Sequence, residues 1–422
     1  MLIETTEPRR ATDAIRAVVD QRAVTPVFQP IVDLLTGEPV GYEALARGPV
    51  DTPLEAPDQL FDAGRRHGML AELDWLCQEA ALTTGVPQLG PSDCLFVNVE
   101  PSVLAVPQPG YLDHLWQDNA KRVRLIAEIS ERAVLTCPAS LLRGVERARS
   151  MGVGIAIDDV GISPASLALI PLVNPDVIKL DLSLIQAGPT AHLATVLRAV
   201  QAQAERTGAL ILAEGIETEE HHRFAVEMGA TLGQGWLFGR PGPLSPPAAQ
   251  SLMVPTQIPW LSGIPRPRSP FAVAERSRSV RVAGRPLLAE LSRNLEDLAR
   301  LTPSGAVVLS SFQDSERFTP AIAERYTELA RHSCFVAAIG AGMGPEPAPG
   351  VRGGRVSGDS PLRREWAVVI LSAHFSGALL ARSLDPDGDP GEQNYQYAVL
   401  HDRQSVLEAA VALMHTVGNS RR

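Results

Sequence analysis

Cysteine is scarce in this sequence. Its four copies, Cys77, Cys94, Cys137 and Cys334, are scattered with no CxxC spacing. That excludes a cysteine-rich zinc module and a disulfide framework, and suits reduced core thiols in a cytoplasmic protein. Positive charge is in deficit as well, with 38 Lys and Arg against 48 Asp and Glu, a net charge of −10. Such a chain is a poor general binder of nucleic-acid polymer or anionic membrane, although a small anion held through metal ions remains possible. Long apolar runs are missing too. The most apolar stretch, Trp366 to Ala381, contains His374 and is short for a membrane span. It reads as a buried strand running into a helix. The first residues, MLIETTEPRR, lack the basic-then-apolar order of a secretory leader.

What is present is ordinary globular composition, 45% hydrophobic and 20% charged, in a chain longer than one hydrophobic core supports. We expect a first domain over 1–245, a proline-rich linker over 246–272 and a second domain over 273–422. The runs PGPLSPP and PWLSGIPRPRSP bias residues before each proline away from helix, which gives a semi-rigid connector. Trp260 and Leu261 within it are apolar enough to pack on a domain.

The first domain opens with a helical lead-in, ATDAIRAVVDQRA, followed by the strand TPVFQPIVDL, a turn around Thr36-Gly37 and the strand PVGYEALAR. So short a link cannot make a parallel crossover, so these two strands are predicted to be antiparallel. Strand and helix alternate afterwards. Seven apolar segments end in a residue able to grip a metal or a phosphate: Glu43, Asn98, Glu128, Asp158-Asp159, Lys179 with Asp181, Glu214 and Gln234. A (β/α)8 barrel assembles its active site at the C-terminal ends of its strands. The fold expected is therefore a modified (β/α)8 barrel with an antiparallel first strand. The second domain reads as a smaller α/β or α+β unit. SGAVVLSSF, HSCFVAAIG and EWAVVIL are its strands, TPAIAERYTELARH and RQSVLEAAVALMHTV its helices, and 341–360 its loops.

Gathered at one mouth, the six carboxylates Glu43, Glu128, Asp158, Asp159, Asp181 and Glu214 repel one another. Like charges ~4 Å apart cost roughly 4 kcal/mol at an effective dielectric of 20. Lys179 alone does not neutralise them. An all-oxygen donor set selects Mg²⁺ or Mn²⁺ over zinc, and the adjacent pair Asp158-Asp159 suits two ions bridging a phosphate ester. The residues thus point to a two-metal phosphoesterase. Several other features have plainer readings. Glu219-Glu220 begin a helix capped by Thr218, and His221 and His222 lack i,i+4 spacing and are structural. Arg65-Arg66, Arg363-Arg364 and the arginines of 266–281 read as solvated faces. The pair His401-Asp402 follows the strand YAVL, with Asp402 placed to cap the final helix.

The blocks FQPIVDLLTGEPVGYEALAR, LFVNVEPSVL, IAEISERAV, GVGIAIDDVG, NPDVIKLDLSLI, ILAEGIETEEH and GATLGQGWLFGRP, in this order, resemble the EAL family of cyclic di-GMP phosphodiesterases over roughly residues 20–245. The resemblance implies hydrolysis of cyclic di-GMP to linear pGpG by a homodimer with two Mg²⁺ or Mn²⁺ ions per active site. It implies that Glu43, Asn98, Glu128 and Asp158 hold the first metal, with Asp158, Asp159 and Asp181 at the second. Lys179 and Glu214 would orient or deprotonate the attacking water, and Glu43 counts among the catalytic residues. Gln29, Arg47 and Gln234 fall on dinucleotide-binding positions, and Glu131 and Glu217 on positions that brace loops. VVLSSFQDSERF, AERYTELARH, EWAVVILSAHFSGALLAR and QNYQYAVLHDRQSVLEAAVALM resemble the DICT family, a sensory module. One departure bears on activity. Where the EAL family has DDFGTGYSSL, this chain reads DDVGISPASL from Asp158 to Leu167. That substitution keeps every ligand but supports an alternative, a weakly active or inactive cyclic di-GMP receptor that signals through the second domain; a different cyclic or linear nucleotide substrate is a third reading.

Overall fold

The computed structural model describes residues 6–162, 167–244, 261–277, 280–302, 305–385 and 393–418. Eight strands close a barrel in sequence order: β1 (Thr25–Asp33), β2 (Pro39–Arg47), β3 (Cys94–Asn98), β4 (Arg124–Ser130), β5 (Gly154–Val160), β6 (Val177–Leu180), β7 (Leu210–Ala213) and β8 (Leu232–Gln234). As the short link requires, β1 runs antiparallel to β2, and it closes the barrel antiparallel to β8. The remaining neighbours are parallel. The helix α1 (Thr6–Asp20) precedes the barrel. Around it lie α2 (Pro57–Arg66), α3 (Leu70–Gly85), α4 (Gly110–Asn119), α5 (Arg132–Thr136), α6 (Pro138–Ser150), α7 (Ile170–Val173), α8 (Leu182–Gln186), α9 (Ala191–Thr207) and α10 (Glu219–Glu227).

The strand period of two explains how this barrel builds a site. Phe96, Ile126, Ala156, Val177, Leu212 and Leu232 form one buried apolar layer inside the barrel. Two residues further along each chain stand Asn98, Glu128, Asp158, Lys179, Glu214 and Gln234. Each polar group therefore rests on an apolar floor that excludes water from below, and all of them face the same mouth.

The second unit is built on a seven-stranded sheet in the order β12-β11-β10-β13-β14-β15-β9. Its elements are α11 (Pro270–Glu275), β9 (Arg281–Gly284), α12 (Arg285–Arg300), β10 (Val307–Asp314), α13 (Pro320–His332), β11 (Phe335–Ala341), β12 (Arg352–Arg355), β13 (Glu365–Leu371), β14 (Ser376–Ser383), β15 (Asn394–Leu400) and α14 (Arg403–Met414). Alternation splits its side chains between two faces. Val308, Val336, Val368 and Leu379 pack with Leu288, Leu295, Tyr326 and Leu329 of α12 and α13. Leu309, Ile339, Val369 and Leu380 pack on the opposite face, in a core continuous with that of the barrel. There α14, capped by Asp402 accepting from Ser405 N at 2.9 Å, is buried at every position from Val406 to Met414. A helix apolar all round needs cover on all sides, and the sheet together with α6 and α7 provides it.

Two expectations are corrected here. Trp366 to Ala381 is not a strand running into a helix but the hairpin β13–β14, closed where Ser372 N donates to Phe375 O at 2.8 Å. Both strands are buried on both faces, so the apolar run shows no alternation, and its turn carries neither glycine nor asparagine at the tip. The 341–360 stretch is not all loop, because Arg352–Arg355 adds β12 in parallel to β11. The connector is tied to the barrel where Arg149 Nη1 donates to Leu261 O at 2.5 Å and Leu261 N to Asp176 Oδ1 at 2.6 Å. Trp260 lies outside the described residues.

Candidate active site

Lys179 is one of only two lysines in the chain, and it is fully buried. Its Nζ lies 2.7 Å from Glu128 Oε1, 2.8 Å from Glu214 Oε1, 3.1 Å from Asp158 Oδ1 and 3.3 Å from Glu43 Oε2. Four strands thus deliver four carboxylates to one ammonium. Burial pulls the Lys179 pKa down, but Asp158, Glu128, Glu214 and Glu43 together hold it well above the usual value. Burial lifts Glu214 to about 8, against the pull of Lys179, and lifts Glu128 well above the carboxylate range with Glu43 adding to it. Glu43 ends up lowered. Burial raises it, but Lys179 and hydrogen bonds from Gln234 and Asn98 outweigh that.

The register supplies those amides. Gln29 stands opposite Glu43 across the β1–β2 pair, and Ile31 stands opposite Gln234. Asn98 Nδ2 donates to Glu43 Oε1 at 2.9 Å, while Gln234 Nε2 donates to Glu43 Oε2 at 2.7 Å and to Gln29 Oε1 at 3.1 Å. Gln29 in turn donates to Gly239 O at 3.1 Å. Arg47, at the end of β2, turns its Nη1 onto Ala46 O at 2.8 Å. Asp181 caps α8, accepting from the backbone N–H and the hydroxyl of Ser183.

Period two alone would send the adjacent Asp158 and Asp159 to opposite faces. Instead β5 is irregular between Ile157 and Val160, Asp159 adopts φ +61°, and both carboxylates line the same cavity. Burial, followed by the charges of Asp158 and Asp181, raises the Asp159 pKa. The backbone just beyond is held from two sides. Gly161 N donates to the buried Glu131 at 3.3 Å, and Gly161 O is 2.7 Å from His192 Nε2. Glu217 is exposed, with its N–H donating to His221 Nδ1 at 3.3 Å. The divergent residues Ser163 to Ser166 lie outside the described residues.

The mouth opens into a cavity of about 640 Å³ lined by Glu43, Asn98, Glu128, Asp158 and Asp159 and, on its α2 side, by Asp62 and Arg65. Arg65 is exposed, as expected of a solvated face, and also borders the site, paired with Asp62 at 2.9 Å and 3.8 Å from Glu100. Arg65, Ser183 and His192 were missed because each comes from a helix at the mouth, and no strand-tip pattern marks it. Among the described residues no three His, Cys, Asp or Glu side chains stand as a ready metal cage. The carboxylates are instead drawn onto Lys179. Even so, Glu128 Oε2 is buried without a hydrogen-bond partner, and Glu128 Oε1 and Asp158 Oδ1 face only the Lys179 ammonium. Buried hard oxygens in an all-oxygen donor set fit a divalent cation such as Mg²⁺ or Mn²⁺.

Residues 12–241, more than half of the chain, match the EAL domain. The chain belongs to the EAL family. Residues 272–384 match the DICT domain, described as a sensory domain in diguanylate cyclases and two-component systems. The EAL segment is 30% identical over 247 residues to the cyclic di-GMP phosphodiesterase RocR of Pseudomonas aeruginosa, covering 57% of this chain and 63% of that protein. It is 28% identical over 252 residues to NbdA, a cyclic di-GMP phosphodiesterase of the same organism, covering 58% of this chain and 32% of NbdA. This chain therefore spans less than two thirds of either relative. A manganese and cyclic di-GMP complex of Klebsiella pneumoniae BlrP1 shares 26% identity, covering 52% of this chain and 56% of that one, with a TM-score of 0.45. Among the described residues no helix of this EAL protein is long and apolar enough to cross a membrane.

Proposed function

We propose that the EAL barrel hydrolyses cyclic di-GMP to linear pGpG with two divalent cations and that the DICT domain regulates it. The observation carrying this reading is the convergence of four carboxylates on a buried lysine at the floor of an open cavity. Glu43, Asn98, Glu128 and Asp158 would hold one Mg²⁺ or Mn²⁺, and Asp158, Asp159 and Asp181 the second. Bound there, the ions supply charge neutralisation at the phosphate and a more acidic water. Lys179, its ammonium held charged, would orient that water, and Glu214, 2.8 Å away, would take its proton. Arg47, released from its carbonyl, offers a planar fork to a phosphate, and Gln29 and Gln234 order the pocket through Glu43. The barrels are expected to pair as a homodimer, a point for analytical ultracentrifugation.

The deciding experiment separates the products of cyclic di-GMP incubated with the full chain and Mn²⁺ or Mg²⁺. Steady appearance of pGpG is expected from the wild type, and none from Glu43→Ala or Asp158→Ala, both still folded by circular dichroism. Tight binding without product would make the barrel a receptor. Substantial turnover in either variant would sink the metal assignment.

A further inference from the structure

The DICT domain contains a second cavity, of about 230 Å³, between α12 and α13 on one side and β10 and β13 on the other. Three of its walls are aromatic: Phe312, Tyr326 and Trp366. Phe312 and Tyr326 meet edge to face at 5.4 Å, and Ala289, Ile322 and Val368 add aliphatic surface to the lining. Two polar groups on the lining are buried and unanswered. Ser292 is 4% exposed, and its Oγ has no hydrogen-bond partner among the described residues. Gln313 is 5% exposed, and its amide makes no hydrogen bond among the described residues. Its backbone is strained as well. Gln313 adopts φ +64° where β10 slips register against β11 between Ser311 and Asp314. A bulge carrying a left-handed non-glycine residue re-aims a side chain at the expense of sheet pairing, and such bulges cluster at binding sites.

Charge completes the picture. Arg285, Arg293 and Arg317 border the cavity. Arg293 pairs with Glu290 and Arg317 with Asp314, both partly exposed pairs of the kind an incoming anion displaces readily. The single carboxylate on the lining, Glu296, is already engaged. It accepts from Tyr326 Oη at 2.8 Å and lies 2.7 Å from Arg325. Aromatic walls, two unanswered hydrogen-bonding groups and a basic border select one class of molecule.

We propose that this cavity binds a small planar aromatic acid, its ring between Phe312, Tyr326 and Trp366, its polar edge on Ser292 and Gln313, and its acidic group at the arginines. The site shares no residue with the barrel and does not depend on the barrel's chemistry. Indole-3-acetate and its neutral isostere indole-3-acetamide are the probes, titrated calorimetrically into the full chain without metal or dinucleotide. The acid is expected to bind at least tenfold tighter than the amide. Ala289→Phe, which fills the cavity from α12, is expected to abolish binding with an unchanged melting temperature. Should that variant misfold, Ser292→Ala serves in its place, with an expected three- to tenfold loss. Arg285→Gln combined with Arg293→Gln is expected to bring acid and amide to equal affinity. Equal binding of the two probes to the wild type, binding of the acid untouched by Ala289→Phe or Ser292→Ala, or no binding of the acid at millimolar concentration would each overturn the proposal and leave a packing void.

Discussion

Lys179 is fully buried and meets four carboxylates within 3.3 Å. Removing one partner from a buried ionic cluster leaves uncompensated charge and typically costs about 3–5 kcal/mol. Lys179→Met is therefore expected to lower the urea midpoint of the metal-free protein, with Mn²⁺ recovering part of the loss by neutralising the same carboxylates. A variant equally stable with and without Mn²⁺ would show that cations do not enter this cluster. Lys179→Ala is also expected to cut turnover about 10²–10⁴-fold, the usual share of a proton-handling group, while changing affinity for the dinucleotide far less. Equal losses in both would reduce Lys179 to a structural counter-charge. At this scale the sequence was legible wherever a polar residue ended an apolar strand, because the strand itself sets where such a side chain points. It was silent on how Glu43 and Lys179 share partners, since the amides of Gln29 and Gln234 that complete the set come from elements about two hundred residues apart.

Among the elements, β5 shows best how backbone serves chemistry. Its irregularity turns both aspartates to one side, and Gly161, separated from them by Val160, adopts φ +110°. A Cβ at Gly161 would also stand 2.5 Å from Leu184 Cδ1. Gly161→Ala therefore combines a disfavoured conformation with a clash, a cost on the order of 1–3 kcal/mol. The expected outcome is a lower melting temperature together with reduced turnover, because the displaced backbone carries Asp158 and Asp159 with it. Unchanged turnover in a destabilised variant would separate the aspartates from the turn. Element type was legible where a pattern had a physical carrier. The short link after β1 fixed an antiparallel pair, and the helix-forming run RQSVLEAAVALM behind its Asp402 cap marked α14. Where burial removes alternation, as in β13 and β14, strand and helix look alike until their partners are known.

For the molecule as a whole, the continuous core between barrel and DICT domain is the determining feature. Polar ties flank it: Arg352 Nη2 donates to Leu135 O at 2.9 Å, and Arg206 Nη2 to Ala373 O at 3.3 Å. Deleting residues 261–422 uncovers the α6–α7 side of the barrel. The truncated barrel is expected to bind more of a hydrophobic dye and to melt lower, by about 2–4 °C for each kcal/mol of lost contact at this domain size. A truncated barrel matching the full chain in both respects would mean that the shared core contributes no stability. The place of α14 in the chain also sets a timetable. The last barrel strand leaves the ribosome roughly 180 residues before α14 is complete, so at 5–20 residues per second the apolar flank waits roughly 10–35 seconds for its cover. During that interval a finished barrel presents an open sticky face to its neighbours on the polysome. The demand for chaperones during synthesis is therefore set less by the barrel's own folding than by how late its lid is translated.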